Sequence, residues 1–319
     1  MKAAVCTAFG GPGVVVVGER ERPSPGRGEV LVRVRAAAIN PLDSKIRSGQ
    51  FRFVFRLVYD LTPPFVLGFD FAGEVVEIGE GVARLEPGQR VFGSVRRPGT
   101  HAEYVVAPAE LTVPLPDGVS MEEAGAAPAG ALTALLIVEE KLKLGPGQQV
   151  LLNGASGGVG IYAVQIAHGA GARVTAVASA RNHELLRSLG ADECIDYRAE
   201  DFATRTNAFD AIVDIVPNRS FPECRTALKP GGRYLTTIPG PGPFFWKAAT
   251  TLVPAFGGRH ADMVILKPKR ESLLRLAELL GSGAVRSVVG ETFPLERVRE
   301  AHERMDASHA AGKIIVSME

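Results

Sequence analysis

Residues 149–160 read QVLLNGASGGVG, an apolar run that breaks into a glycine cluster. Ala155-Ser156-Gly157-Gly158-Val159-Gly160 has the spacing A-x-G-x-x-G, one glycine short of the usual dinucleotide fingerprint. Where a strand precedes such a turn and a helix follows, glycines let the backbone approach a pyrophosphate, and its charge rests on the helix N-terminal amides. Ser156 adds a hydroxyl donor. A chain that binds NAD places an Asp or Glu at the end of the next strand, about 20 residues on, to hold the ribose 2′-OH. Here that place reads Ala178-Ser179-Ala180-Arg181-Asn182, with no acid before Glu184. Ser179 offers a hydroxyl and Arg181 a planar guanidinium suited to a 2′-phosphate, so NADPH is the expected cofactor.

These residues need a strand–turn–helix frame, and the pattern supplies one. From about residue 122 strands alternate with helices: strands at 149–154, 173–178, 193–197, 209–216 and 233–239, helices at 158–169, 181–189 and 219–228. Gly190 is expected as a left-handed helix cap. The alternation predicts a doubly wound parallel sheet in an α/β fold, and 263–266 is expected to add its last strand. Ligands of such sheets bind outside the carboxyl ends of the strands. Ile238, Pro239 and Gly240 are therefore expected cofactor contacts, with Phe244, Phe245 and Trp246 as walls. Residues 1–120 read instead as short β runs (14–17, 30–36, 74–78, 104–107) between Gly/Pro turns. Helices at 271–280 and 295–307 and a strand at 313–318 close the chain. Phe51, Phe53, Phe55 and Tyr59 alternate with arginine, which suggests a strand or lid with one apolar face, either lining an acceptor pocket or packed in the core.

With 319 residues and 46% hydrophobic content, two domains are the default. A net charge of +1 gives no reason to expect nucleic acid or an anionic membrane as partner. Cys6, Cys194 and Cys224 are too far apart for a disulfide framework or a metal cluster, which fits a reducing cytosol. The six histidines show no ligand spacing. No uninterrupted apolar stretch is long enough to span a bilayer, and residues 1–5 enter a strand-like run without a secretory segment. A soluble, cytoplasmic protein is expected.

The segment LNGASGGVGIYAVQIAHGAGARVTAVASARNHELLRSLGADECIDY (152–197) resembles the nucleotide-binding half of the zinc-independent, zeta-crystallin-like quinone oxidoreductases among the medium-chain dehydrogenases/reductases. VLGFDFAGEVVEIGEGVARLEPGQRVFG (66–93) resembles their GroES-like catalytic domain, AINPLDSKIRSG (38–49) their first substrate loop, and GKIIVSM (312–318) their closing strand. The resemblance implies a GroES-like β-rich domain from 1–122 and 267–319 and a Rossmann domain from 123–266. It implies a homodimer that passes hydride from NADPH to a small-molecule quinone or α,β-unsaturated carbonyl. An enoyl-thioester reductase, which would want a basic patch for its carrier, and a non-enzymatic NADPH-binding protein are the alternatives.

Zinc-dependent relatives carry a cysteine near Asn40 and Gly-His-Glu near Gly68-Phe69-Asp70. Asn40 and Phe69 cannot ligate zinc, so no metal is expected. By the same resemblance Asn40, Asp43 and Lys45 are the catalytic candidates. Asn40 would donate its amide to the acceptor oxygen, Lys45 would stabilise negative charge or give a proton, and Asp43 would orient it. Asn40, Phe51, Tyr59 and Phe245 are the candidate acceptor contacts. Tyr197 matches a family tyrosine near the adenosine phosphate, and Lys313 a position near the cofactor.

Overall fold

The computed structural model describes residues 1–50, 52–59, 61–253, 256–307 and 311–318. The chain forms two compact units, Met1–Ala129 with Pro268–Glu319, and Gly130–Lys267. The first unit extends a few residues beyond the expected 122. Helix Met121–Ala126 lies on strand Glu29–Ile39, so close that a Cβ on Gly125 would stand 2.7 Å from the Ala36 carbonyl oxygen.

The second unit is a six-stranded, all-parallel sheet. Taken in chain order, its strands are Gln149–Asn153, Arg173–Ala178, Glu193–Asp196, Phe209–Asp214, Leu228–Thr236 and His260–Met263. In space they lie in the order third, second, first, fourth, fifth, sixth, the doubly wound arrangement of a Rossmann fold. Strand one is buried at Val150, Leu151 and Leu152 because parallel strands are covered on both faces. The last strand begins at His260, before the expected 263. The helix expected over 219–228 is a single turn, Phe221–Cys224, and residues from Leu228 already belong to the fifth strand. Gly190 does take the left-handed conformation, φ +104°.

The first unit is built on a seven-stranded sheet and a three-stranded one. Its long strand, Glu29–Ile39, pairs antiparallel with Asp70–Ile78, and the pairing steps from Val34–Gly73 to Ala36–Ala72. Two steps on one strand answer one on the other, a bulge at Arg35. The bulge reverses the alternation: Val30, Val32 and Val34 face one core, and beyond it Ala37 and Ile39 face that same core. It thereby sets the direction in which the chain leaves the sheet at Asn40. Strand Lys313–Ser317 runs antiparallel to the same segment, Ile314 opposite Ile39, which brings Lys313 beside Asn40.

The segment expected as a strand or lid is an α-helix, Arg52–Tyr59. Phe53 and Leu57, one helical turn apart, are exposed, whereas Tyr59 packs on Phe69 with ring centroids 5.6 Å apart. Phe51 lies outside the described residues. Among the described residues no helix is long and apolar enough to cross a membrane.

Candidate functional site

In the second unit four buried polar side chains close apolar strands at the carboxyl edge of the sheet: Asn153, Ser179, Asp214 and Thr236. Burying a polar group costs stability unless it is hydrogen-bonded. Here the bonds hold the edge together. Asn153 Nδ2 donates to Asp214 Oδ1 at 2.8 Å and to Asn218 Oδ1 at 2.7 Å. Arg219 N donates to Asp214 Oδ2 at 3.2 Å. Burial pushes the Asp214 carboxyl up to about 6, against these donors. The network spans the first and fourth strands, the topological switch point where doubly wound sheets bind ligands.

The glycine turn leaves the first of those strands. Gly154, at φ +89°, would place a Cβ 2.4 Å from Val216, and one on Gly160 would stand 2.5 Å from the Ala155 carbonyl oxygen. Those two glycines serve close packing. Gly157 differs: a Cβ there would meet only the Gly154 oxygen at 3.4 Å, so its backbone is open to an approaching group. Ala155 is buried, and residues 156–159 are half-buried. The Ser156 and Gly158 amides donate to no acceptor among the described residues. Unfilled donors ahead of helix Gly160–Gly169 fit a pyrophosphate.

Ser179 is buried just after the second strand and precedes a 3₁₀ turn at Ala180–Asn182, with Arg181 exposed on it. Tyr197 follows the third strand and is exposed beneath the Arg198 guanidinium, 5.5 Å from its ring. Ile238 is half-buried beyond the fifth strand, its N–H 3.4 Å from Thr236 Oγ1, and Pro239 is exposed. Phe245, on helix Pro241–Leu252, is exposed against Trp246.

The first unit holds a separate buried cluster. Asn40 leaves strand Glu29–Ile39 and caps helix Pro41–Arg47. Its backbone N–H donates to Asp43 Oδ2 at 2.8 Å, and Gly68 N donates to Asp43 Oδ1 at 3.0 Å. Gly68 is at φ +94°, and a Cβ would stand 2.3 Å from Thr100 Oγ1, so only glycine fits. The Asn40 amide is fixed at both ends: Nδ2 donates to Asp70 Oδ2 at 2.9 Å, and Lys313 Nζ donates to Oδ1 at 2.5 Å. An amide with a cation on its oxygen and a carboxylate on its nitrogen has one orientation, with one N–H left to give.

Asp43, Asp70 and Lys313 are buried. Burial pushes the Asp70 carboxyl up to about 6, against the pull of Lys313 and the Asn40 and Ala129 donors. Burial likewise raises Asp43, opposed by His101, two backbone N–H groups and Lys313. It lowers Lys313, and the two carboxylates counter it. Lys45 is half-buried, its pKa lowered by desolvation, and it has no ion-pair partner among the described residues.

Residues 26–117 match the alcohol dehydrogenase GroES-like domain and residues 189–316 the zinc-binding dehydrogenase family. The chain is 35% identical to the chloroplastic quinone oxidoreductase QR1 of Triphysaria versicolor, over 92% of this chain and 91% of that one. It is 34% identical to the trans-enoyl reductase pgmF of Aspergillus terreus, over 92% and 87%. A mycobacterial structure, Rv1454c complexed with NADPH, superposes with a TM-score of 0.85 at 28% identity, with both chains fully covered. The chain belongs to the quinone oxidoreductase family of the medium-chain dehydrogenases/reductases. It is an oxidoreductase of the NAD(P)H-dependent kind.

Within this quinone oxidoreductase fold the structure joins Asn40, Asp43 and Lys313, which the sequence separates by up to 273 positions. Lys313 is buried, with the Asp70 and Asp43 carboxylates offsetting the burial of its charge. Asp70 and Asp214 had no assigned role in the sequence reading. The signal for Asp214 and Asn153 was present, since each is a polar residue that closes an apolar strand, in FDAIVD and QVLLN. Among the described residues no three His, Cys, Asp or Glu side chains are grouped as a metal set.

Proposed function

We propose that this protein reduces quinones or α,β-unsaturated carbonyls with NADPH and without a metal ion. The observation that carries the reading is Asn40, an amide held in one orientation by Lys313 and Asp70 at the position where zinc-dependent relatives have a cysteine. Bound NADPH supplies a hydride, and the chain must bind, orient and stabilise the charge that develops on the acceptor oxygen. The free Asn40 N–H is the donor for that oxygen. Lys45 adds positive charge and a proton, its pKa lowered by partial burial. Asp43 acts as a positioning residue through the Asn40 and Gly68 backbone.

For the cofactor, Ala155–Gly160 would receive the pyrophosphate, with donors from Ser156 and Gly158. Ser179 and Arg181 would hold the 2′-phosphate, and Tyr197, Ile238 and Pro239 would flank the ligand. Tyr59, Phe245 and Phe51 are the proposed acceptor walls. Family resemblance supports a homodimer, and three cysteines without a disulfide fit a reducing compartment such as the cytosol. The likeness to a trans-enoyl reductase supports enones as acceptors. Steady-state NADPH oxidation with a panel of quinones, alkenals and enoyl thioesters tests the proposal. Turnover of quinones or alkenals supports it; turnover of thioesters alone, or binding without turnover, overturns it.

A further inference from the structure

A second concave surface lies wholly within the first unit. It is an open groove of about 950 Å³, within the size of small-molecule sites, roughly 300–1,000 Å³. Its charged lining is Arg27, Arg84, Arg96 and Arg97 against Glu29 and Glu110. Both glutamates are already engaged. Glu110 pairs with Arg96, and Glu29 Oε2 accepts the Gly26 N–H at 3.0 Å. Arg27, Arg84 and Arg97 are exposed and have no ion-pair partner among the described residues. Val82, Val95 and Val106 line the same groove.

The walls are stitched together by backbone. Gly28 N donates to Glu80 O at 2.8 Å, Gly79 N to Glu29 O at 2.9 Å, and Ala109 N to Gly28 O at 3.0 Å. The turns meet so closely that a Cβ on Gly79 would stand 1.8 Å from the Gly26 carbonyl oxygen. Four guanidiniums against two carboxylates leave the concavity with a net positive lining, where field is focused on an incoming anion. The groove sits at the Glu29 end of strand Glu29–Ile39 and Asn40 beyond its other end. Its other wall reaches Val95, whose N–H donates to the Phe69 carbonyl oxygen at 2.9 Å. Asn40, Asp43, Asp70 and Lys313 are not among the residues that line the groove.

We propose that this groove binds a small ligand with a multiply charged phosphate group, held by Arg27, Arg84 and Arg97, its apolar part on the valines. Guanidinium forks match phosphate oxygens two at a time. A concave site of this size favours a soluble molecule over a lipid headgroup at a flat membrane surface.

The test is calorimetric titration of inorganic pyrophosphate into the protein saturated with NADPH, which fills the other anion site. Cofactor fluorescence reports that saturation separately, so a failure of NADPH to bind bears on the proposed function alone. One saturable pyrophosphate site is expected, weakened about tenfold by each of Arg27→Ala, Arg84→Ala and Arg97→Ala and unaffected by Arg225→Ala on the second unit. The substituted side chains are exposed, so the melting temperature and quinone turnover should not move. Absence of saturable binding, or equal binding by the triple variant, overturns the proposal. Co-sedimentation with phosphatidylglycerol vesicles without saturable pyrophosphate binding would assign the arginines to a lipid headgroup and overturn the soluble ligand.

Discussion

Replacement of Lys313 by Met removes, among the described residues, the only cation hydrogen-bonded to the buried Asn40–Asp70 pair. Asn40 Oδ1 loses its donor, and Asp70 and Asp43 lose the positive charge that offsets their burial. Removing one member of a buried ion cluster costs about 3–5 kcal/mol, because the remaining charge is left uncompensated. The protein has one tryptophan, Trp246, and it belongs to the second unit, so its fluorescence does not follow this event. Hydrogen exchange over strand Glu29–Ile39 does, with strand Gln149–Asn153 as internal control. Protection in the first strand should fall by roughly two to three and a half orders of magnitude while the control holds. The sign of the pH dependence is fixed. The Asp70 carboxyl is already raised to about 6 when folded and rises further without Lys313, so the folded state binds more protons than the unfolded one. Stability of the variant must fall as pH rises, and the defect should be larger at about pH 8 than at about pH 5. Asp70→Asn introduced into Lys313→Met should recover part of the loss, since an uncharged pair leaves no orphan charge. A loss below about 1 kcal/mol, or one independent of pH, would refute Lys313 as the buried countercharge.

Arg181→Ala should weaken NADPH roughly tenfold to a hundredfold and leave NADH nearly unchanged, as read by fluorescence titration of each cofactor. Equal wild-type affinity for the two would remove the case for a 2′-phosphate site. Asn40→Ala and Lys45→Met should lower kcat more with alkenals than with quinones, because an enolate needs stabilisation that a quinone does not, while NADPH affinity holds. Removing a preorganised donor costs about 3 kcal/mol in a dry site, and wild-type single-turnover rates with both acceptors would make the loop mere scaffold. Activity should survive prolonged chelation, with elemental analysis finding well under about one zinc per chain; activity lost on removal of tightly bound zinc would contradict the proposal. Asp214, raised to about 6, binds protons more readily folded than unfolded. Urea unfolding followed by Trp246 should therefore show stability falling by up to about 3 kcal/mol as pH rises from about 4 past 6, and Asp214→Asn should flatten that slope.

The sequence alone determined what local rules control. A strand, a glycine turn and a helix in succession were legible in the residues from 149 to 169. Alternation of strands and helices requires a parallel sheet, and the absence of an acid after Ala178 is a property of neighbouring residues. Gly190 capped its helix as its position demanded. Local rules misread Arg52–Tyr59, where alternating aromatic and basic residues fit a strand's period, yet Phe53 and Leu57 also fall one helical turn apart. They also overran the helix after Arg219, whose apolar residues belong partly to the next strand. Only the tertiary structure decided the buried polar cluster around Asn40. Lys313 reaches Asn40 because the closing strand pairs with Glu29–Ile39, and Asn40 faces Asp70 because a bulge at Arg35 shifts which side chains point inward. Long-range pairing and register carry no signature in the residues they bring together. Burial, the largest influence on the charge states of Asp43, Asp70 and Lys313, exists only once the sheets have packed.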